Sequence, residues 1–320
     1  MSKAGFVSHV ISAGALACGA GLAHAQDFPN KPIRIVTTVI AGGSDTMSRL
    51  VAQGISSGLG QQIIVDNRGR GTIPSTAVSR APPDGYTLLV HNTAVWIAPL
   101  FQKAPPYDAV RDLAPIAALT RAPSLLVVHP SLPAKSVKDL VALARAKPGA
   151  LNFSSGANGD ISHIAGELFK SMAGINMVRV PYASGSIEAA DLISGQVQMT
   201  FSSPGSVGSH IKSGKLRALA VGSPQPSVLF PELPAVAASV PGFQAGSMYG
   251  VWAPAKTPEA IVRRFNQEIV RFLNTSETKK QVLGMQMETL GNSPDEFATM
   301  IKSEISRVVK LIKDTGITAE

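Results

Sequence analysis

Strand-like apolar runs alternate with helix-patterned segments twice along this chain, and that alternation restricts its fold more than any other feature. Residues 33–39 (IRIVTTV) are β-rich and apolar, and residues 45–59 place Met47, Leu50, Val51 and Ile55 at helical spacing. QQIIVDN (61–67) is a second short strand. The glycine-rich turn RGRGTIP and a short helix to Arg80 follow, PPDG marks a turn, and YTLLVHN (86–92) is a third strand. The order β-α-β-α-β in so short a span predicts a parallel sheet with right-handed crossovers.

The pattern recurs from SLLVVHP (124–130). Helix-patterned segments at 136–149, 160–174 and 186–196 alternate with strand-like segments at 150–156, 177–182, 197–203 and 216–222. MYGVWAP (248–254) returns to strand character, and two long helical patterns at 258–273 and 294–314 finish the chain. The expected fold class is α/β, with two doubly wound Rossmann-like domains and a C-terminal helical segment. If that tail packs back on the first unit, domain 1 is discontinuous (26–123 plus 248–320) and domain 2 spans 124–247.

The first 25 residues stand apart. MSKAGFVSHVISAGALACGAGLAHA has the parts of a secretory signal: Lys3 near the start, an apolar small-residue run from Val7 to Leu22, and Ala23-His24-Ala25 as a small-x-small cleavage site. Cleavage near Ala25 and a periplasmic destination are expected. A membrane anchor, or lipidation at Cys18, are the alternatives. Cys18 is the chain's single cysteine, so the processed protein would have no disulfide and no thiolate metal site. About 295 residues then remain, enough for two domains of ordinary size. The net charge of +8 invites a nucleic-acid reading, but Lys and Arg are scattered and only 5% of residues are aromatic. No basic run with interleaved stacking residues is present, so a nucleic-acid partner is not expected. What remains is a mild field favouring anions.

Two glycine corners stand where a strand turns into a helix: IAGGSD (40–45) and SSGANGD (154–160). In open parallel sheets ligands bind beyond the carboxyl ends of the strands, because the first N–H groups of a helix have no partner and glycine lets a ligand approach them. Ser44, Asp45 and Asp160 can equally be helix caps. Neither corner has the GxGxxG or GxxxxGK[ST] order, so no nucleotide is expected, nor any other cofactor. HExxH and HxxxH are absent, and no His/Asp/Glu cluster has metal-ligand spacing. Ser155, His163 and Asp45 could be drawn as a hydrolase set, yet no GxSxG elbow supports it.

Ten stretches in order resemble one family, the periplasmic solute receptors of tripartite tricarboxylate transporters, also called the Bug family. They include FPNKPIRIV, AGGSD with Arg49, PPDGYTLL, PYDAVRDLAPI, the long run from Pro130 to Gly156, HIAGELFKSMAG and VPYASG. DLISGQV, GKLRALAV and WAPAKTP complete the set, which covers essentially the whole chain after the leader. The resemblance implies a two-domain Venus flytrap, no chemistry on the ligand, and a small carboxylate held in the interdomain cleft by backbone N–H groups, hydroxyls and water. It implies a monomer that serves membrane permease subunits or, alternatively, a periplasmic sensor kinase. Carried over by position, the implied ligand contacts are Ala41, Gly42, Gly43 and Ser44 on one side. Ser154, Ser155, Asn158, Gly159 and Asp160 are those on the other, with Asn92, Thr93 and Tyr182 between. Asp45 and His163 would stand behind the corners. The pattern departs at the corners themselves: one residue, Ser44, separates the glycine pair from Asp45 where the family more often has two. Asp160 stands where a small hydroxyl is common, and Ser202 where an aspartate is frequent.

Overall fold

The computed structural model describes residues 28–40, 43–69, 71–156, 160–182 and 184–316. The leader, its cleavage site and Cys18 lie outside these. Among the described residues no helix is long and apolar enough to cross a membrane.

The elements follow the order β1 (Ile33–Thr37), α1 (Gly43–Leu59), β2 (Ile63–Asn67), α2 (Ile73–Ser79), β3 (Thr87–Asn92), α3 (Ala94–Ile97), β4 (Leu113–Pro123). Then come β5 (Leu125–Val128), α4 (Val137–Ala146), β6 (Asn152–Ser155), α5 (Ile161–Ala173), β7 (Val178–Pro181), α6 (Gly185–Ser194), β8 (Met199–Ser202), α7 (Pro204–Lys212) and β9 (Arg217–Val221). The chain ends with β10 (Gly246–Pro254), α8 (Glu259–Leu273), α9 (Ser276–Gly284), β11 (Glu288–Thr289) and α10 (Pro294–Thr315). Helix starts and stops follow local chemistry. The Ser136 hydroxyl accepts from the Asp139 N–H, Ser293 and Glu296 form a reciprocal capping box before α10, and Gly174 and Gly195 end α5 and α6 with positive φ.

Two mixed sheets result. The first has the order β11-β4-β10-β3-β1-β2, the second β7-β6-β8-β5-β9. In each, three strands joined by helical crossovers run parallel (β2-β1-β3 and β7-β6-β8), and the remainder pair antiparallel. The antiparallel strands carry the chain between sheets: β4 continues through Ser124 directly into β5, and the segment after β9 returns into β10. This arrangement aims the carboxyl ends of β3 and of β6 and β8 at a common cleft.

Burial follows the periodicities. On α1, Met47, Leu50, Val51, Ile55 and Leu59 face β1, β3 and α8 in one core, with Phe265 and Ile269 opposite. A second core runs from one sheet to the other: Trp96, Trp252 and Phe297 belong to the same cluster as Phe153, Phe169, Phe201 and Phe243. The C-terminal helix α10 joins them, packing on β4 and α3 of the first unit and also on α5 of the second. The tail thus packs on elements of both units.

Candidate functional site

Each corner is built from its own strand and helix. At the first, Asp45 in the opening turn of α1 is buried, and its carboxylate accepts from Arg49 (3.2 and 3.0 Å) and from the Asn67 amide (2.9 Å). Asn67 also donates to the Thr38 carbonyl at 2.7 Å, so Asp45 fastens α1 to the ends of β1 and β2. Gly43 lies against the Tyr249 hydroxyl, with which any Cβ would collide. Ser44 is buried with its hydroxyl 3.5 Å from His91 Nδ1. His91 Nδ1 accepts the Asn92 N–H at 2.7 Å and Nε2 faces the Gly71 carbonyl at 3.3 Å, the pattern of a neutral imidazole with its proton on Nε2. Ala41 and Gly42 lie outside the described residues.

At the second corner, Ser154 and Ser155 are fully buried at the end of β6. The Ser154 hydroxyl donates to Glu188 Oε1 (2.9 Å). Ser155 Oγ accepts from Arg179 Nε (2.7 Å) and donates to the Gly156 carbonyl (3.1 Å). Asp160 is the N-cap residue of α5 in position, with extended backbone, but its side chain makes no capping bond. His163 is buried beside the Phe101 ring at 6.2 Å. The Tyr182 hydroxyl donates to Asp191 at 2.8 Å, turning toward α6. Asn158 and Gly159 lie outside the described residues. Ser155 and Asp45 are therefore each committed to other partners, one at the end of β6 and the other in α1.

Between the corners is a cavity of about 430 Å3. Asn92, Thr93 and Asp160 line it, whereas Gly43, Ser44, Ser154, Ser155 and Tyr182 are not among its lining groups; Ser154 holds the lining Glu188. Other lining groups were not legible as site residues. Ser247 and Tyr249 come from β10, Glu188 from α6, Ser203 to Gly205 from the start of α7, and Met285 to Met287 from the turn after α9. Gln286 holds a left-handed φ of 59°, a conformation non-glycine residues rarely adopt, and stands 3.7 Å from where a side chain on Gly208 of the second unit would begin. A left-handed non-glycine residue is the kind of local strain that collects at ligand clamps, but sequence carries no sign of it. The Ser-Pro-Gly helix start at 203–205 was the readable signal that sequence reasoning passed over.

Burial holds His91 well below its ordinary value, at about 4, outweighing the Gly71 carbonyl and Asn92. His163 is also lowered to about 4, by burial first and then by the nearby charges of Arg179 and Lys170. An unfolded imidazole gains its proton near pH 6.5, while these folded ones gain theirs only near 4, so the unfolded state binds more protons between the two. Stability from this source is full above about pH 7 and falls as pH drops toward 4. His91 alone is expected to contribute a loss of about 3 kcal/mol across that window. Thermal melts of His91→Gln and the parent between pH 7 and 4.5 check it: the variant should show the shallower pH dependence, and parallel slopes would sink the assignment.

The model of the tripartite tricarboxylate transporter family receptor matches residues 47–317. A Pseudomonas sp. protein, named as the UPF0065 protein in the tcbD-tcbE intergenic region, is 34% identical over 91% of this chain and 88% of its own. The structure of R. palustris Rpa4515 with adipate superposes with a TM-score of 0.76 at 31% identity, covering 91% of this chain and 99% of that one. MatC from Rhodopseudomonas palustris with bound malate gives a TM-score of 0.71 at 26% identity, covering 89% and 100%.

Proposed function

The chain belongs to the tripartite tricarboxylate transporter receptor family, whose members are periplasmic solute-binding receptors and not enzymes, and from that membership we propose that it captures a small organic carboxylate in its cleft. The observation that carries this is the cavity of about 430 Å3 lined by residues from both sheets and by Ala122, Pro123 and Ser124 where β4 passes into β5. Its size suits a small metabolite, and its apolar groups (Ile97, Phe201, Met285, Met287) alternate with hydroxyls and amides, as small-molecule sites do. The adipate and malate held by the two structural relatives support a carboxylate ligand for this chain.

In this reading the lobes are residues 26–123 plus 248–320, and 124–247. Asn92 and Thr93 contact the ligand from the first lobe together with the amides of Ala41 to Gly43. Asn158, Gly159 and Asp160 contact it from the second. Hydrogen bonds and helix-end amides can hold a carboxylate without a paired arginine and still release it. The loaded receptor then docks on membrane permease subunits, after cleavage of the leader near Ala25. Titration calorimetry of the processed protein against short aliphatic and aromatic carboxylates tests the proposal, with micromolar or tighter binding of at least one expected. No heat from any carboxylate, in protein shown to be folded and free of retained cargo, would overturn it.

A further inference from the structure

The acidic side chains that line the cleft among the described residues are Asp160 and Glu188, with no Lys, Arg or His among the lining groups. The neighbouring cations do not border the cavity, although the charge of Arg179 acts on Asp160. Arg179 donates to Ser155 Oγ and to the Gly156 carbonyl (2.7 and 2.8 Å), Arg49 holds Asp45, and Arg121 holds Glu288 (2.9 and 2.8 Å). A pocket of this charge is ill suited to an all-anionic guest, because like charges in a partly dehydrated cleft repel more strongly than in water.

Glu188 is also fixed in place. It sits in the first turn of α6, half-buried, and Oε1 accepts from the hydroxyls of Ser154 (2.9 Å) and Thr200 (3.0 Å). Both donors are buried on adjacent strands, β6 and β8, so the carboxylate is carried by the rigid part of the second unit and not by a loop. A pair of hydroxyls locking one oxygen orients the other for use, and the cavity is the space it borders.

We infer that the cleft selects a solute bearing an ammonium group as well as its carboxylate, with Glu188 as the counter-ion and Asp160, partly offset by Arg179, adding a smaller share. The inference rests on the carboxylate-receptor reading and names the second charge of that ligand. The ammonium faces the second unit and the carboxylate the first, where the Tyr249 hydroxyl, Ser247 and Asn92 are donors. Phe201, Met285 and Met287 cover the carbon chain between. Discrimination against an unaminated acid then comes from repulsion as much as from attraction.

Calorimetry on a panel of dicarboxylates, each paired with its ω-amino counterpart of equal chain length (adipate with 6-aminohexanoate, glutarate with 5-aminopentanoate), tests this in the parent, Glu188→Gln and Asp160→Asn. Glu188→Gln keeps an acceptor for Ser154 and Thr200, so the fold is retained, which circular dichroism and a melt confirm. Expected is at least tenfold tighter binding of the amino member by the parent, about 1.4 kcal/mol, and collapse of that ratio in Glu188→Gln with a smaller reduction in Asp160→Asn. Tighter binding of the unaminated acid by the parent, or an unchanged ratio in Glu188→Gln, overturns the inference and leaves the receptor reading standing. Absence of binding by every member overturns both.

Discussion

Phe297→Ala is expected to lower the unfolding free energy by about 3–5 kcal/mol, the cost of emptying a fully buried aromatic site. Phe297 lies in the first turn of α10 and is completely buried, with its ring 5.1 Å from Trp252 and 6.4 Å from Trp96. The match is tight from the other side too, since a side chain on Gly250 would run into this ring. The aromatic contacts add about 0.5–1.5 kcal/mol beyond the area they cover. Further along, Ile301, Val308 and Leu311 carry α10 into the core that spans both sheets, and Arg307 donates to the Gln244 carbonyl in the segment leading back to β10. Losing the anchor at the start of α10 should therefore loosen the packing of both units together. Urea denaturation checks it: the midpoint should fall at nearly constant slope, and Phe297→Leu should lose much less. A loss under 1 kcal/mol would mean that α10 is not the clamp its contacts describe.

The parts of this molecule that could be read beforehand are those whose residues recur at one local period. IRIVTTV, IIVDN and YTLLVHN became β1, β2 and β3, and the α1 stripe from Met47 to Leu59 became a core face, because neighbours in sequence decide these. β4 was not read at all. LAPIAALTRAP carries Pro115 and Pro123 and four alanines, which hide a strand whose pairing with β10 comes from residues more than a hundred positions away. Short α7 and α9 escaped for a similar reason, their helical stripes being only two turns long. The glycine corners were legible as strand-to-helix turns because helix-end chemistry is local; of the residues named there and nearby, Asn92, Thr93 and Asp160 line the cavity, while Gly43 and Ser44 do not. Glu188, Tyr249 and Met285 to Met287 were not legible, since only the three-dimensional crossing of α6, β10 and the turn after α9 brings them to one space. The serines of SSGANGD show the converse limit: sequence placed them at the corner but could not tell that their hydroxyls face Glu188 and Arg179.

Gly222→Ala is expected to disturb the junction of the two sheets, with a stability loss of about 1–3 kcal/mol from overpacking against backbone and weaker ligand capture. Three segments meet there. The Gly222 N–H donates to the Ser124 carbonyl (2.7 Å), the Ala245 N–H to the Gly222 carbonyl (2.7 Å), and Ser124 donates to the Ala245 carbonyl through N–H (3.3 Å) and Oγ (3.0 Å). A Cβ on Gly222 would strike the Ala245 carbonyl and Ser124 Oγ, while one on Gly246 would come within 2.7 Å of the Ala122 carbonyl. The Ser124 hydroxyl could rotate aside, but the Ala245 carbonyl is backbone held in the ring of hydrogen bonds, so the strands themselves must separate. Ala122, Pro123 and Ser124 form the floor of the cleft, and β10 supplies Ser247 and Tyr249 to its wall, so such a shift reaches the ligand groups within a few residues. Gly185→Ala, at a helix start with nothing near the added carbon, serves as the matched control and should be close to neutral. Urea unfolding and calorimetry with whichever solute the parent binds make the comparison. Parent-like stability and affinity in Gly222→Ala would show that the junction yields more easily than its packing implies, and that the spacing of the two walls is set by α10 and the shared core instead.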